Sequence, residues 1–277
     1  MINIKDIQKK YGFYFKSFLG QNFFNNDFLL EEIIESLNIS KDDIVLEIGP
    51  GFGVLTEKLL CRAKKVISVE IDSNAVFILN EEFKDKKNFL LINEDFLKMD
   101  LHKIEEFKNS IKVIANIPYY ITTPILEKLF KSNLNIDFIA VMVQKEVGER
   151  ILATPSTKEY GSLTVFVNYY SKALLIKKIS SNNFIPKPKV DSVFIKFEIF
   201  KNRFFNDNNI ENEFLNFVKR CFSMRRKNLF NVLTQFNKNK QQLQNISYKL
   251  QIDFNNRAEN LDVFDFQKIF VELSKPN

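Results

Sequence analysis

Apolar residues in the first half of the chain gather into short, nearly unbroken runs at 44–48, 66–71, 89–92, 112–115 and 136–143. Such runs mark strands buried on both faces. Between them the spacing becomes helical. Leu29, Ile33 and Leu37 share one helical face behind Asp27, which is placed to cap it. Residues 54–60 follow a glycine loop, Ser73 caps a segment running to about Phe83, and Thr122-Thr123-Pro124 opens a helix with a polar cap and an early proline. Alternating strand and helix predict an α/β fold with a doubly wound parallel sheet. After Gln144 the pattern changes: 145–153 reads as helix, 154–161 as a polar loop, and 163–170, 174–179 and 193–197 as strands. Residues 201–209 are polar and irregular, the mark of a domain boundary. Beyond them only helices are expected, at 211–223, 225–236, 239–250 and 262–273. The expected organisation is an α/β domain over 1–200 and a small all-helical domain over 210–277. Residues 1–18 mix lysines with aromatics and carry no clean period.

Composition narrows the function classes. No apolar run approaches the length of a membrane span, and the first residues lack the organisation of a signal peptide. Cys61 and Cys221 match no metal or redox spacing, so reduced thiols and a cytoplasmic location are expected, with no metal site. His102 is the only histidine, which excludes any mechanism needing two. A net charge of +6 suits an anionic partner such as nucleic acid.

Candidate chemistry collects at the ends of the expected strands. Gly49-Pro50-Gly51-Phe52-Gly53 joins a strand to a helix N-terminus, where glycines let a ligand approach the backbone and free N–H groups point outward. A nicotinamide fingerprint needs its third glycine one place later, where this chain has Val54, so a dinucleotide is disfavoured. Glu70 ends the next strand about twenty residues on, the interval at which an acid reaches ribose hydroxyls. Asp95-Phe96 follows the third strand: either the acid bonds an adenine amine beside the ring, or it caps the next turn. Asn116-Ile117-Pro118-Tyr119 ends the fourth. There an amide acceptor, a rigid proline and an aromatic ring suit chemistry on the exocyclic amine of a base, and the plain alternative is a strand end with a proline turn. Phe184 leads a proline-stiffened loop with Lys187 and Lys189, and is either core filler or a second stacking face with Tyr119. Arg225, Arg226 and Lys227 form either a solvated face or a phosphate contact.

Taken in order, Gly20-Gln21-Asn22-Phe23, Glu47-Ile48-Gly49-Pro50-Gly51, Val69-Glu70-Ile71-Asp72, Asp95-Phe96 and Asn116-Ile117-Pro118-Tyr119 resemble the ribosomal RNA adenine N6-methyltransferases. The resemblance continues through Gln144-Lys145-Glu146-Val147, the Pro188-Lys189-Val190-Asp191-Ser192 loop, Arg225-Arg226-Lys227 and Arg257-Ala258-Glu259-Asn260-Leu261, so it spans nearly the whole chain. The last loop and the helical tail look like the small-subunit dimethyladenosine transferases. The large-subunit methylases of macrolide resistance share the earlier motifs and are the alternative. Tyr120 departs from the family, many of whose members carry asparagine there.

The resemblance implies a Rossmann-like fold, S-adenosylmethionine as methyl donor, and two adjacent adenosines of the 3′-terminal hairpin loop of small-subunit ribosomal RNA as target. Each would be dimethylated at N6 by a monomer, within a pre-assembled subunit, with no membrane involved. It implies that Asn22 and Phe24 close over the cofactor, Gly49 and Gly51 lie under its methionine portion, Glu70 holds the ribose hydroxyls and Asp95 the adenine amine, with Ile71, Phe96 and Asn116 also in the cofactor site. Asn116 and the Ile117 carbonyl would take the target amine, with Pro118 between them and Tyr119, while Tyr119 and Phe184 stack on the base. Lys187, Lys189, Arg225, Arg226 and Lys227 would contact RNA.

Overall fold

The computed structural model of the chain describes residues 2–12, 22–236 and 238–275, except for the side chain of Tyr119. Gly20 and Gln21 of the entry motif, and the stacking expected of Tyr119, lie outside the described residues. The chain divides into two compact units, Met1–Gly148 with Leu174–Ile199, and Glu149–Ala173 with Phe200–Asn277.

The first unit runs through α1 (Ile4–Tyr11), β1 (Phe23–Phe24), α2 (Asp27–Ser36), β2 (Ile44–Ile48), α3 (Val54–Arg62), β3 (Lys65–Glu70), α4 (Ser73–Glu82), β4 (Phe89–Asn93), β5 (Ile111–Asn116), α5 (Thr122–Lys131) and β6 (Ile136–Gln144). Helix α6 (Lys145–Ile151) and strand β7 (Ser171–Ile179) cross the division, and β8 (Phe184–Ile185) and β9 (Ser192–Ile199) complete the unit. The main sheet has the order β4-β3-β2-β5-β6-β9-β7. Strands β4, β3, β2, β5 and β6 pair in parallel, and β9 runs antiparallel to β6. Every residue of β2 is buried, as a parallel strand covered on both faces requires. The chain leaves β2 for β3 on one side and returns from β4 to β5 on the other. This reversal opens a crevice outside the C-terminal ends of β2 and β5, where open α/β sheets bind ligands.

Leu30, Ile33 and Ile34 of α2 and Leu55, Leu59 and Leu60 of α3 belong to one core with Val45, Val66 and Ile114 of the sheet. Each such side chain contributes about 1.5–3 kcal/mol when fully buried. Two caps fall one residue earlier than the spacing suggests. Asn26, not Asp27, accepts from the Leu29 N–H (3.1 Å), and Asp72, not Ser73, accepts from the Asn74 N–H (3.0 Å). Both caps have the extended backbone that a cap needs, whereas Asp27 and Ser73 already lie in the first helical turn.

The second unit contains α7 (Ser162–Tyr170), α8 (Asn208–Ser223), α9 (Leu229–Leu233), α10 (Lys240–Leu250) and α11 (Val263–Leu273). The strand expected at 163–170 is helix α7. Its side chains Thr164, Val165, Phe166, Val167, Tyr169 and Tyr170 are all buried, and a helix buried around its circumference loses the period that would reveal it. Helix α7 packs on α8 and α11, so 149–173 joins this unit, whereas the sequence pattern suggests a single cut after residue 200. The helix expected at 225–236 is shorter. Arg225-Arg226-Lys227 falls in a break, after which Asn228 restarts the helix by accepting from the Asn231 N–H (3.0 Å). No helix of the described residues is long and apolar enough to cross a membrane.

Candidate functional site

Parallel register aligns the strand ends. Ile48 lies opposite Ala115 and Val69, and Glu70 lies opposite Asn93, so the residues that follow β2, β3, β4 and β5 meet along one edge. They surround a cavity of about 280 Å³ whose lining includes Gly49, Gly51, Glu70, Asp95, Asn116 and Ile117. Asn22, Phe24, Ile71, Phe96 and Pro118 also line it, so eleven sequence-derived site positions come together. Leu30, Ile33, Met142 and Phe194 supply buried apolar wall.

The glycine loop is shaped by backbone. Gly51 has φ +57°, and a Cβ there would stand 2.6 Å from Phe23 Cε1, so both conformation and space demand glycine. The Gly51 N–H donates to Glu70 Oε2 (3.1 Å), and the Asp72 N–H donates to Glu70 Oε1 (2.8 Å). Glu70 thus links the β3 end to the loop. Burial pushes its carboxyl above the usual carboxylate range, and the two N–H groups oppose that shift by favouring the ionised form.

Asn116 is half-buried, and its Nδ2 donates to the Asn22 carbonyl (3.0 Å). That bond fixes which end of the amide faces the Asn22 carbonyl and leaves Oδ1 as the acceptor end. Asp95 caps a turn, its Oδ1 accepting from the Leu97 N–H (2.9 Å), and it also lines the cavity. Tyr120, the departure from the family pattern, is exposed and lines the cavity as well.

Phe184 is not brought to the cavity. Its ring is buried in the core, edge-on to Phe24 with centroids 5.2 Å apart, because β8 pairs with β1 and sets Phe184 opposite Phe24. The expected second stacking face is therefore corrected to a support for Phe24. Lys187 and Lys189 are exposed on the loop before β9 and do not line the cavity. In the second unit, Arg225 donates through Nη2 to the Lys158 and Tyr160 carbonyls (both 3.0 Å) and faces Glu259. Arg226 and Lys227 are exposed.

Sequence reasoning assigned no role to Glu47. It is 1% exposed within β2 and lines the cavity. Its Oε2 accepts from Thr56 Oγ1 and Ser68 Oγ (both 2.7 Å), and its Oε1 has no hydrogen-bond partner among the described residues. Burial pushes its carboxyl up to about 7, against the pull of the two hydroxyls. The available signal was an acid inside an otherwise apolar run, just before the glycine loop.

The family described as ribosomal RNA adenine dimethylase matches residues 12–275. A ribosomal RNA small subunit methyltransferase A of Clostridium botulinum (strain Kyoto / Type A2) is 46% identical over 268 residues, covering 97% of this chain and 97% of its own. Among solved structures, a dimethyladenosine transferase from Plasmodium falciparum superposes with a TM-score of 0.76 at 30% identity, covering 90% of this chain and 96% of its own. The 23S rRNA methyltransferase ErmE shares the fold, with a TM-score of 0.71 at 23% identity, over 91% of this chain and 100% of its own.

Proposed function

The chain belongs to the ribosomal RNA adenine dimethylase family, and on that premise we propose that it transfers methyl groups from S-adenosylmethionine to N6 of two adjacent adenosines in the 3′-terminal hairpin loop of small-subunit ribosomal RNA. The observation that carries this reading is the juxtaposition, around one cavity, of the glycine loop, the buried Glu70 and an Asn116 oriented by Asn22.

The residues present fit that cofactor. Glu47 and Glu70 are two buried carboxyls on the lining, the first with an oxygen that has no partner among the described residues, and they complement a ligand bearing sulfonium and ammonium charge. Gly49 and Gly51 would lie under its methionine portion, Glu70 would take the ribose hydroxyls and Asp95 the adenine amine. Ile71 and Phe96 would flank the adenine, and Asn22 and Phe24 would close over the ligand. When bound, the cofactor supplies an electrophilic methyl group on sulfur.

The rest is done by the chain. An adenine amine is a weak nucleophile because its lone pair is delocalised into the ring. Asn116 Oδ1 and the Ile117 carbonyl would accept its N–H bonds, both of them in the first transfer and the one that remains in the second, and draw the nitrogen toward tetrahedral geometry. The same acceptors would stabilise the positive charge that develops on nitrogen, which is relieved when the methylated nitrogen gives up a proton to water. Pro118 stiffens the turn that carries them. Holding the amine against the methyl donor replaces an encounter in solution. Tyr119 stacks on the target base outside its helix, where an aromatic contact contributes roughly 1–3 kcal/mol. Lys187, Lys189, Arg226 and Lys227 are exposed and suited to RNA phosphates. A monomer acting in the cytoplasm on a pre-assembled small subunit completes the reading.

The test is to incubate the enzyme and methyl donor with immature small subunits and, separately, with large-subunit RNA, and to map modified nucleotides by mass spectrometry. Dimethylated adenosines in the small-subunit hairpin are expected. Modification of large-subunit RNA alone would overturn the substrate assignment in favour of the macrolide-resistance activity.

A further inference from the structure

The helical unit has a concavity of its own. A groove of about 380 Å³ is lined by residues of α8, of the turn after α9, and of α11, including Phe217, Arg220, Gln235, Phe236 and Phe270. Its volume lies in the range of small-ligand clefts, roughly 300–1,000 Å³. The aromatic rings support one another. Phe236 stands edge-on to Phe217 with centroids 5.2 Å apart, and Phe217 is tilted against Phe270 at 5.7 Å. The Arg220 guanidinium lies over the Phe236 ring, its carbon 4.0 Å from the centroid. Its Nη2 also donates to the Gln235 carbonyl (3.4 Å), which holds the planar group in that pose.

Arg220 is exposed, and it has no ion-pair partner among the described residues. A guanidinium anchored on one face by an aromatic ring offers its other face as a flat, charged platform. Such platforms stack unpaired bases, and the charge favours the adjoining phosphate. A purely apolar occupant would have no use for that charge. Glu213 can accept from an exocyclic base amine, and the amides of Asn216 and Gln235 can donate to or accept from a base edge.

We propose that this groove binds one unstacked base of single-stranded RNA, seated against Arg220 and Phe236, so that the helical unit grips a nucleotide other than the one being methylated. The proposal rests on the reading of the chain as an enzyme acting on ribosomal RNA.

Its test uses the full-length chain and a short single-stranded RNA carrying one 2-aminopurine, whose fluorescence is quenched on stacking. The wild-type chain should quench it. Arg220→Gln and Phe236→Leu should each bind about 5- to 100-fold more weakly, the effect of removing one stacking partner, with the quench abolished. Arg220 is a surface residue held by one ring contact and one hydrogen bond, so Arg220→Gln should stay folded with at most a slightly lower melting temperature and keep the comparison valid if Phe236→Leu folds poorly. Wild-type affinity and quench in Arg220→Gln would overturn the proposal. Methylation of small subunits, assayed on the wild-type chain in the same preparations, separates the two readings. An active wild type with undiminished RNA binding in the variants defeats the groove alone. An inactive wild type whose quench still depends on Arg220 supports the groove and defeats the enzymatic reading.

Discussion

The strand-end cavity and the basic stretch 225–227 handle charge in opposite ways. In the cavity, the central polar groups are buried or half-buried and held: Glu70 by two backbone N–H groups, Glu47 by two hydroxyls, Asn116 through a carbonyl from 94 residues away. In the stretch 225–227 all three side chains are exposed, and of the three Arg225 is the one held among the described residues, by two carbonyls and a facing acid. Groups fixed in a low-dielectric site can stabilise a transition state, because their reorganisation cost is met during folding. Exposed cations on long side chains contribute attraction to phosphates whose strength depends on salt. The first arrangement suits chemistry and the second suits association, and each can be tested separately.

Removing the Asn116 acceptor tests the contrast most severely. Asn116→Ala should lower the rate of methyl transfer about 10²–10³-fold, as loss of one preorganised electrostatic partner does. Cofactor affinity, measured by calorimetry, should change little if the amide acts on the target amine as proposed. Near-wild-type turnover in a folded variant would sink the assignment.

Next in size is Glu70→Ala, expected to weaken cofactor binding by about 1.5–3 kcal/mol, the range for hydrogen bonds to a charged group. Some of that loss should come through the loop, because the Gly51 N–H loses its acceptor. Unchanged affinity would mean that Glu70 serves only to end its strand.

Glu47 bears on stability and pH. Its carboxyl is raised from 4.5 to about 7, so between those values the folded chain keeps a proton that the unfolded chain has released. The resulting stabilisation is complete below about 4.5 and is lost as pH rises through about 7. Glu47→Gln keeps an acceptor for Thr56 and Ser68 but cannot ionise. Its unfolding free energy should therefore fall less than that of the wild type as pH rises through this window. Parallel curves for the two proteins would show that Glu47 does not titrate there.

The same contrast explains what could be read in advance. Gly49, Glu70, Asp95 and Asn116 are legible because each lies at the end of an apolar run or within three residues of it, and parallel strands bring all such ends to one edge. The bond from Asn116 to the Asn22 carbonyl is not, since it joins segments far apart and involves a main-chain atom that no sequence pattern marks. Helix α7 was misread because burial on every side erased its period, and Phe184 because its strand pairing with β1 could not be foreseen from two residues. Arg225 read as one of three equal cations. Its role emerges only with the Lys158 and Tyr160 carbonyls that it bridges.

The smallest expected effects divide that basic cluster. If Arg226 and Lys227 contact phosphate, replacing both with glutamine removes two sites of counterion release. The slope of log affinity for ribosomal RNA against log salt should fall by roughly 0.7–0.9 for each phosphate no longer neutralised. Stability should not change, because neither side chain is buried. Arg225→Gln should do the reverse. Its loss of hydrogen bonds to two carbonyls should lower stability by about 0.5–1.5 kcal/mol, while the salt slope stays near that of the wild type. Cofactor affinity should be unchanged in both proteins, since none of the three residues lines the cavity. Salt titrations of RNA binding, paired with thermal melts, read the two responses independently. A slope that falls equally in both proteins would show that Arg225 also reaches phosphate and that the cluster acts as one surface. An unchanged slope in the Arg226 and Lys227 variant would leave those two as a solvated face, and association would then have to rest on other cations of the chain.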